Sequence, residues 1–291
     1  MRTIAFDYTR ATSLAEALEA MEAGAAPLAG GQWLLVEMKL GMRAPRQIVD
    51  IKGLTEYQSV EVDEDAVVIG SLVRHVEVMQ SKALADILPS LVQAANQIGD
   101  VQTRNRGTVG GNICWGDSRA NYGPVLASLD AWLQFAHSSG PRELPLVDFL
   151  ASPGKVPPGS LLEWVIVPRP GERAQMRYVE LSRQPNDFAL VNVAVVLDPD
   201  AERPIRIAVG GLGGYVVRLS AAERALGPMF MDGAQPDLDV LEAQVGQATS
   251  TLEPFPHPNA PIDYRRRMAA VMVRRAVEDL LQQHTTSVRG G

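Results

Sequence analysis

One cysteine, Cys114, stands in a chain of 291 residues. A lone thiol makes no intramolecular disulfide and no thiolate zinc cluster. It also falls short of the about four cysteines that an iron–sulfur cluster takes. The four histidines, His75, His137, His257 and His284, are scattered, and no HExxH spacing occurs. A metal site in this chain is therefore not expected. No apolar run approaches the ~18 residues of a membrane span. The start, Met1-Arg2-Thr3-Ile4-Ala5-Phe6-Asp7, lacks the apolar stretch of a secretory signal, and there is no Asn-x-Ser/Thr sequon. Cytoplasm is the expected location. Basic side chains are also short: 27 against 34 acidic, a net charge of −7. Nucleic-acid binders carry a basic excess, so that partner is not expected. A Walker A loop and a GxSxG elbow are missing, and no carboxylate pair stands out as an acid–base couple. No catalytic side chain is nominated.

What remains is ordinary globular material, 46% hydrophobic and 21% charged. At roughly 100–200 residues per domain the length suggests two domains or one large lobed one.

Residues 3–8 suit a strand. Ser13-Leu14-Ala15-Glu16 has capping-box spacing, Leu14, Leu18 and Met21 recur at helical intervals, and Gly24 is a stop. Gly30-Gly31 then turns the chain into an ordered segment, Trp33–Met38, and Gln47–Ile51 is a strand candidate. This opening reads as a small βαβ-like unit. A second section holds a strand at Ala66–Gly70, a helix over Lys82–Ile98 offset at Pro89, and an extended glycine-rich loop over Gly99–Asn112. A short helix at Pro124–Asp130 and strands at Ala131–Phe135 and Leu161–Val167 follow. A third section starts near Met176, with strands at Met176–Leu181, Ala189–Leu197 and Pro204–Val209, then helices at Ser220–Leu226, Leu238–Thr251 and Tyr264–Gln283. Strands followed by helices indicate an α+β lobe.

Three glycine clusters are candidates for ligand contact. Leu28-Ala29-Gly30-Gly31-Gln32 brings backbone N–H groups close enough together to form an anion nest, or is a plain turn. Arg104-Asn105-Arg106-Gly107-Thr108-Val109-Gly110-Gly111-Asn112 offers N–H groups, a hydroxyl and two arginines to a pyrophosphate, or is a surface loop. Gly210-Gly211-Leu212-Gly213-Gly214 follows a strand, but its GxGxxG frame ends on Val216, so it reads as a flexible connection. Arg265-Arg266-Arg267 and Arg274-Arg275 read as a solvated helix face or as ion pairs to Asp263 and Glu278, and His75 as structural.

These blocks together resemble the FAD-binding medium subunit of the molybdenum hydroxylases, the flavoprotein of carbon monoxide, nicotinate and xanthine dehydrogenases. The resemblance runs from Phe6-Asp7-Tyr8 and Thr12–Leu18 through Leu28–Gln32, Val49-Asp50-Ile51 and Ile69–His75. It continues through Ile98-Gly99-Asp100, Arg104–Asn112, Pro124–Ala131 and Asp187–Val191 to Tyr264–Ala276, nearly the whole chain. It implies an α+β, two-subdomain FAD-binding fold of the PCMH/vanillyl-alcohol-oxidase type over residues 1–175, with subdomains about 1–57 and 58–175. A small three-stranded α+β C-terminal domain would occupy 176–291. It further implies an oxidoreductase subunit that passes electrons from partner [2Fe-2S] clusters through noncovalent FAD to an external acceptor. The clusters and the molybdenum cofactor would sit in a small and a large partner subunit, in a dimer of heterotrimers. The positions matching the family's cofactor contacts are Leu28, Ala29, Gly30, Gly31, Gln32, Trp33, Leu34 and Leu35; Thr108, Val109, Gly110, Gly111 and Asn112; and Ile98, Asn121 and Leu162. Trp33 stands where a small polar residue is usual, Asn121 where an acid is common, and Val179, beside Glu180, where a lysine is often found. Those departures permit one alternative, a flavin-free degenerate scaffold subunit; the wider fold offers another, a stand-alone FAD-dependent oxidoreductase.

Overall fold

A computed structural model describes residues 5–152, 156–230, 236–254, 256 and 260–289, with side chains up to 282. Three sheets follow one another along the chain. The first unit is β1 (Asp7–Arg10), α1 (Leu14–Glu22), β2 (Ala26–Leu28), α2 (Leu34–Leu40) and β3 (Gln47–Asp50). Its three strands are parallel, in the order β1-β3-β2. The first two positions of the strand expected over 3–8, Thr3 and Ile4, lie outside the described residues. The α1 start behaves as its sequence indicates. Ser13 Oγ accepts from Glu16 N–H at 3.3 Å, while the Glu16 carboxylate reaches back to the Thr12 N–H at 2.8 Å.

The second unit runs β4 (Val60–Val62), β5 (Ala66–Gly70), α3 (His75–Gln80), α4 (Lys82–Ile87), α5 (Pro89–Gln97), α6 (Val101–Arg106), α7 (Val109–Cys114), α8 (Tyr122–Ser128), β6 (Trp132–Ala136), β7 (Arg142–Pro145), α9 (Leu146–Ala151) and β8 (Leu161–Pro168). Its sheet is antiparallel, ordered β4-β5-β8-β6-β7. Pro89 divides the expected 82–98 helix in two, because it sits at the first turn of α5 and cannot continue α4. The stretch expected as an extended loop, 99–112, holds two short helices instead. Asp100 caps α6 by accepting from Thr103 N–H at 2.7 Å, and Thr108 caps α7 by accepting from Gly111 N–H at 3.1 Å.

The third unit is β9 (Gln175–Leu181), β10 (Val191–Leu197), β11 (Ile205–Gly210), β12 (Val217–Arg218), α10 (Ser220–Leu226), α11 (Leu238–Ser250) and α12 (Ile262–Arg289). Beside the three expected strands, the two-residue β12 pairs with β11, giving an antiparallel sheet ordered β12-β11-β10-β9. Every residue of the central strand β10 is buried. Val191, Val193, Val195 and Leu197 pack with α10, α11 and α12. Ala194 and Val196, with Met176, Tyr178 and Ala208, share one cluster with Leu91, Val125 and Leu126 of the second unit. Each such valine contributes roughly 1.5–3 kcal/mol by leaving water. The sheet is thus covered on both faces. Among the described residues no helix is long and apolar enough to cross a membrane.

Candidate functional site

The first glycine turn leaves β2 at Leu28 and enters α2 at Leu34. Gly31 has φ +72°, which suits glycine. Trp33 occupies the N-cap without a side-chain hydrogen bond, so the helix start is not capped as a Ser or Asp would cap it. Among the described residues, the N–H groups of Gly31, Gln32, Trp33 and Leu34 meet no acceptor. Four successive donors so presented form a cradle for an anion.

The second glycine segment lies against this turn. A β-carbon built at Gly30 would stand 2.2 Å from the Arg106 carbonyl oxygen and 2.7 Å from Gly107 Cα. The two backbones can meet only because residue 30 has no side chain. The second segment spends its own donors differently. Val109 N–H donates to Val73 O at 2.9 Å and Gly110 N–H to Ser71 O at 2.8 Å, while Gly111 N–H serves the Thr108 cap. Gly110 is glycine because Ser71 leaves 2.7 Å for a β-carbon. Ser71 N–H in turn donates to Glu163 O at 2.9 Å, so β8 supports the segment from below. Arg104 does not reach for a ligand: its Nη1 donates to the carbonyls of Ile98 and Gly99, at 3.0 and 2.6 Å.

The structure therefore sets the 28–35 turn, at Gly30, against Arg106 and Gly107 of the second segment. Ile98 and Leu162 are buried in the core of the second unit, at the end of α5 and on β8. Asn121 follows a loop that returns to α7, where Asn112 Oδ1 accepts from Tyr122 N–H at 3.3 Å.

Sequence reasoning missed the aromatic cluster beside the first turn. Trp33 lies 4.4 Å from Trp115, centroid to centroid, and 5.7 Å from Phe188, and Trp115 lies 4.9 Å from Phe188. The Arg119 guanidinium stands 5.0 Å from the Phe188 ring and forms a two-point ion pair with Asp117 at 2.8 and 2.6 Å. Asp117 is thus engaged by Arg119. Trp33 Nε1 is buried with no partner. Only the unusual tryptophan at 33 signalled any of this. The three rings come from three separate segments, and no spacing rule joins them.

Asn121 itself meets an acid from the third unit. Its Nδ2 donates to Glu180 Oε2 at 2.6 Å and to Tyr178 Oη at 3.0 Å, and Tyr178 Oη donates to the same Glu180 oxygen at 2.7 Å. Burial pushes the Glu180 carboxyl above the usual carboxylate range, opposed by the hydrogen bonds from Tyr178 and Asn121.

His75 is structural, as its lack of an acid partner indicates. Its Nδ1 lies 3.0 Å from Tyr122 Oη, its Nε2 abuts Gly107, and burial, aided by the nearby Arg104 charge, lowers its pKa to about 3. The unfolded chain binds a proton there below about pH 6.5 that the folded chain refuses until about pH 3. Stability is thus full above the unfolded pKa and falls as the pH drops, by up to about 1.4 kcal/mol per pH unit. Denaturation at about pH 7, 6 and 5, across the range where an unfolded histidine takes up its proton, measures this slope. A His75→Asn variant is expected to flatten it, and an unchanged slope refutes the assignment.

The Gly210–Gly214 segment is no flexible connection. Gly211 N–H donates to Ser118 O at 3.1 Å, and Ser118 Oγ donates to Gly213 O at 2.7 Å. Nor is Arg265 solvated. It is 2% exposed, and donates to the carbonyls of Ala260 and Gly211. Arg274 does pair with Glu278, at 3.1 Å, and Arg266 lies 3.9 Å from Asp263.

Comparison with known proteins agrees with this geometry. Residues 4–170 match the family described as the FAD binding domain in molybdopterin dehydrogenase, and residues 176–280 the CO dehydrogenase flavoprotein C-terminal domain. The chain is 31% identical to the 6-hydroxypseudooxynicotine dehydrogenase complex subunit alpha of Paenarthrobacter nicotinovorans, over 97% of each chain. It is 29% identical to the glyceraldehyde dehydrogenase medium chain of Sulfolobus acidocaldarius, over 94% of this chain and 98% of that one. Its fold superposes on a chain of the Hydrogenophaga pseudoflava carbon monoxide dehydrogenase that lacks the Mo-pyranopterin moiety. That match has a TM-score of 0.88 and 28% identity, and covers 97% of this chain and 99% of that one.

Proposed function

The chain belongs to the FAD-binding medium subunits of the molybdenum hydroxylases, and from that premise we propose that residues 28–35 and 108–112 hold the diphosphate of one noncovalently bound FAD. The observation that carries this reading is the contact of Gly30 with Arg106 and Gly107, which joins the two loops beside the unpaired N–H groups of residues 31–34. Those donors suit phosphate oxygens. Of the second segment, exposed Gly111 and half-buried Asn112 lie nearest the surface, whereas Val109 and Gly110 hold the loop in place. Trp33, Trp115 and Phe188 form an apolar cluster beside the first turn, on one side of the proposed site. Ile98 and Leu162, buried in the second unit's core, and Asn121 complete the contacts assigned to FAD in this reading.

Bound FAD supplies the redox chemistry, taking electrons that arrive from partner subunits and giving them to an acceptor. The protein's part is to bind, orient and shield it. We assign residues 1–175, divided near 57, to FAD binding and 176–291 to a C-terminal domain. The partners in this reading are a small subunit with two [2Fe-2S] clusters and a large subunit with the molybdenum cofactor, in a dimer of heterotrimers. The single cysteine of this chain requires that the clusters come from elsewhere. A cytoplasmic setting completes the reading.

Purified with its partners, the protein is expected to show a flavin absorption spectrum and to release one FAD per chain on acid denaturation. Folded, colourless protein that takes up no added FAD overturns the proposal.

A further inference from the structure

Three residues on adjacent strands of the third unit form one cross-strand row: Gly210 on β11 faces Asn192 on β10, which faces Glu180 on β9. Successive residues of the loop before α8 lie along this row. Ser118 O would be 2.1 Å from a β-carbon at Gly210. Asn192, fully buried, donates through Nδ2 to Arg119 O at 3.3 Å and Ala120 O at 3.1 Å. Asn121 then reaches Glu180. The row grips the loop at each position in turn.

The last grip has a chemical consequence. A primary amide has two N–H donors and one carbonyl oxygen. The Nδ2 of Asn121 lies within hydrogen-bond distance of both Glu180 Oε2 and Tyr178 Oη. The Tyr178 hydroxyl spends its proton on Glu180, so both oxygens facing Asn121 accept, and this fixes which end of the amide faces the sheet. The Asn121 Oδ1 is therefore turned away from the sheet, and no described residue donates to it.

Resting on the FAD reading above, we propose that Glu180 and Tyr178 are positioning residues of the cofactor site: they turn the Oδ1 of Asn121 outward as an acceptor for a hydrogen-bond donor of FAD, a ribityl hydroxyl or the imide N–H. A neutral asparagine thereby offers what an acid at the same position would offer. The negative charge stands one layer back, on β9. An acid belongs at 180 for the same reason when the amide stands at 121: a base at 180 would take the carbonyl and present the N–H groups.

The test is FAD affinity, measured by flavin fluorescence quenching on the FAD-depleted complex, for Asn121→Asp, Glu180→Gln and the double variant. Asn121→Asp alone sets two carboxylates against each other and is expected to weaken FAD binding by about tenfold or more. Glu180→Gln alone keeps an acceptor for Asn121 and is expected to stay within about threefold of the parent. In the double variant the new amide at position 180 donates to the new carboxylate at position 121 and leaves an oxygen outward, so affinity is expected to return to within about threefold of the parent. Rescue in the double variant also excludes misfolding as the cause of the single variant's loss. Parent-like binding by Asn121→Asp, or a double variant as weak as the single, overturns the proposal and leaves the FAD reading standing. Failure of the parent protein to bind FAD overturns the FAD reading, and the proposal with it.

Discussion

Gly30→Val is expected to cost the protein its FAD, with affinity falling by about a hundredfold or more, while the third unit stays folded. The β-carbon would need a place now 2.2 Å from the Arg106 carbonyl oxygen, and that obstacle is backbone. Separation by a further ångström or so is the only relief, since van der Waals contact between such atoms lies near about 3.5 Å. The two halves of the cradle would part, and a ligand held between them would lose their joint geometry. A displacement of this size costs about two powers of ten where positioning matters. Equilibrium dialysis with FAD, alongside far-ultraviolet circular dichroism, measures both parts of the expectation. Retained affinity in a folded variant shows that the two loops do not act on one ligand.

The second large effect concerns stability. Arg218 forms a two-point ion pair with Glu223, 2.7 Å at each contact, and also donates to Asp130 Oδ1 at 2.6 Å and Ala127 O at 2.8 Å. The Arg218 and Glu223 side chains are 8% and 2% exposed, so neither charge has water to fall back on. Glu223 Oε1 also accepts the Ile207 N–H at 2.7 Å, which ties the pair into β11. Arg218→Met leaves a carboxylate buried without its partner and is expected to cost about 3–5 kcal/mol. For a chain of this size that lowers the melting temperature by on the order of 10 °C. Arg218→Met with Glu223→Leu removes both charges and is expected to recover only part of the loss, because the buried Ile207 N–H then lacks its acceptor. A single variant within about 1 kcal/mol of the parent refutes this account.

Much of the fold was legible in local signals. The helix at Ser220–Leu226 and the strand at Ala66–Gly70 fall where periodicity places them. The Ser13 and Gly24 punctuation of α1 acts as its residue types dictate. The short helices α6 and α7 were hidden because glycine content outweighed the caps at Asp100 and Thr108, which were the better signal. Arg265 was misread because a run of arginines normally faces water. Two backbone carbonyls, those of Ala260 and Gly211, make its burial tolerable, and no sequence rule announces them. In the candidate site, the glycines were visible as glycines, but which donors they leave free was not. Val109 and Gly110 bond to Val73 and Ser71, partners that only the folded chain brings near. The meeting of Trp33 with Trp115 depends on packing of the first unit against the second, and the approach of Phe188 and of Glu180 on docking of the third.

That docking bears on how such a chain can change over generations. One face of β9, β10 and β11 is a wall of the second unit's core, and Met176, Tyr178, Ala194, Val196 and Ala208 are covered there by its helices. A gene exchange that imported a foreign segment beginning near residue 176 would have to bring matching volumes for α5 and α8, and an acid at 180 for the asparagine at 121. Joined without that match, the halves would leave a cavity or a clash in the core, at a cost of about several kcal/mol.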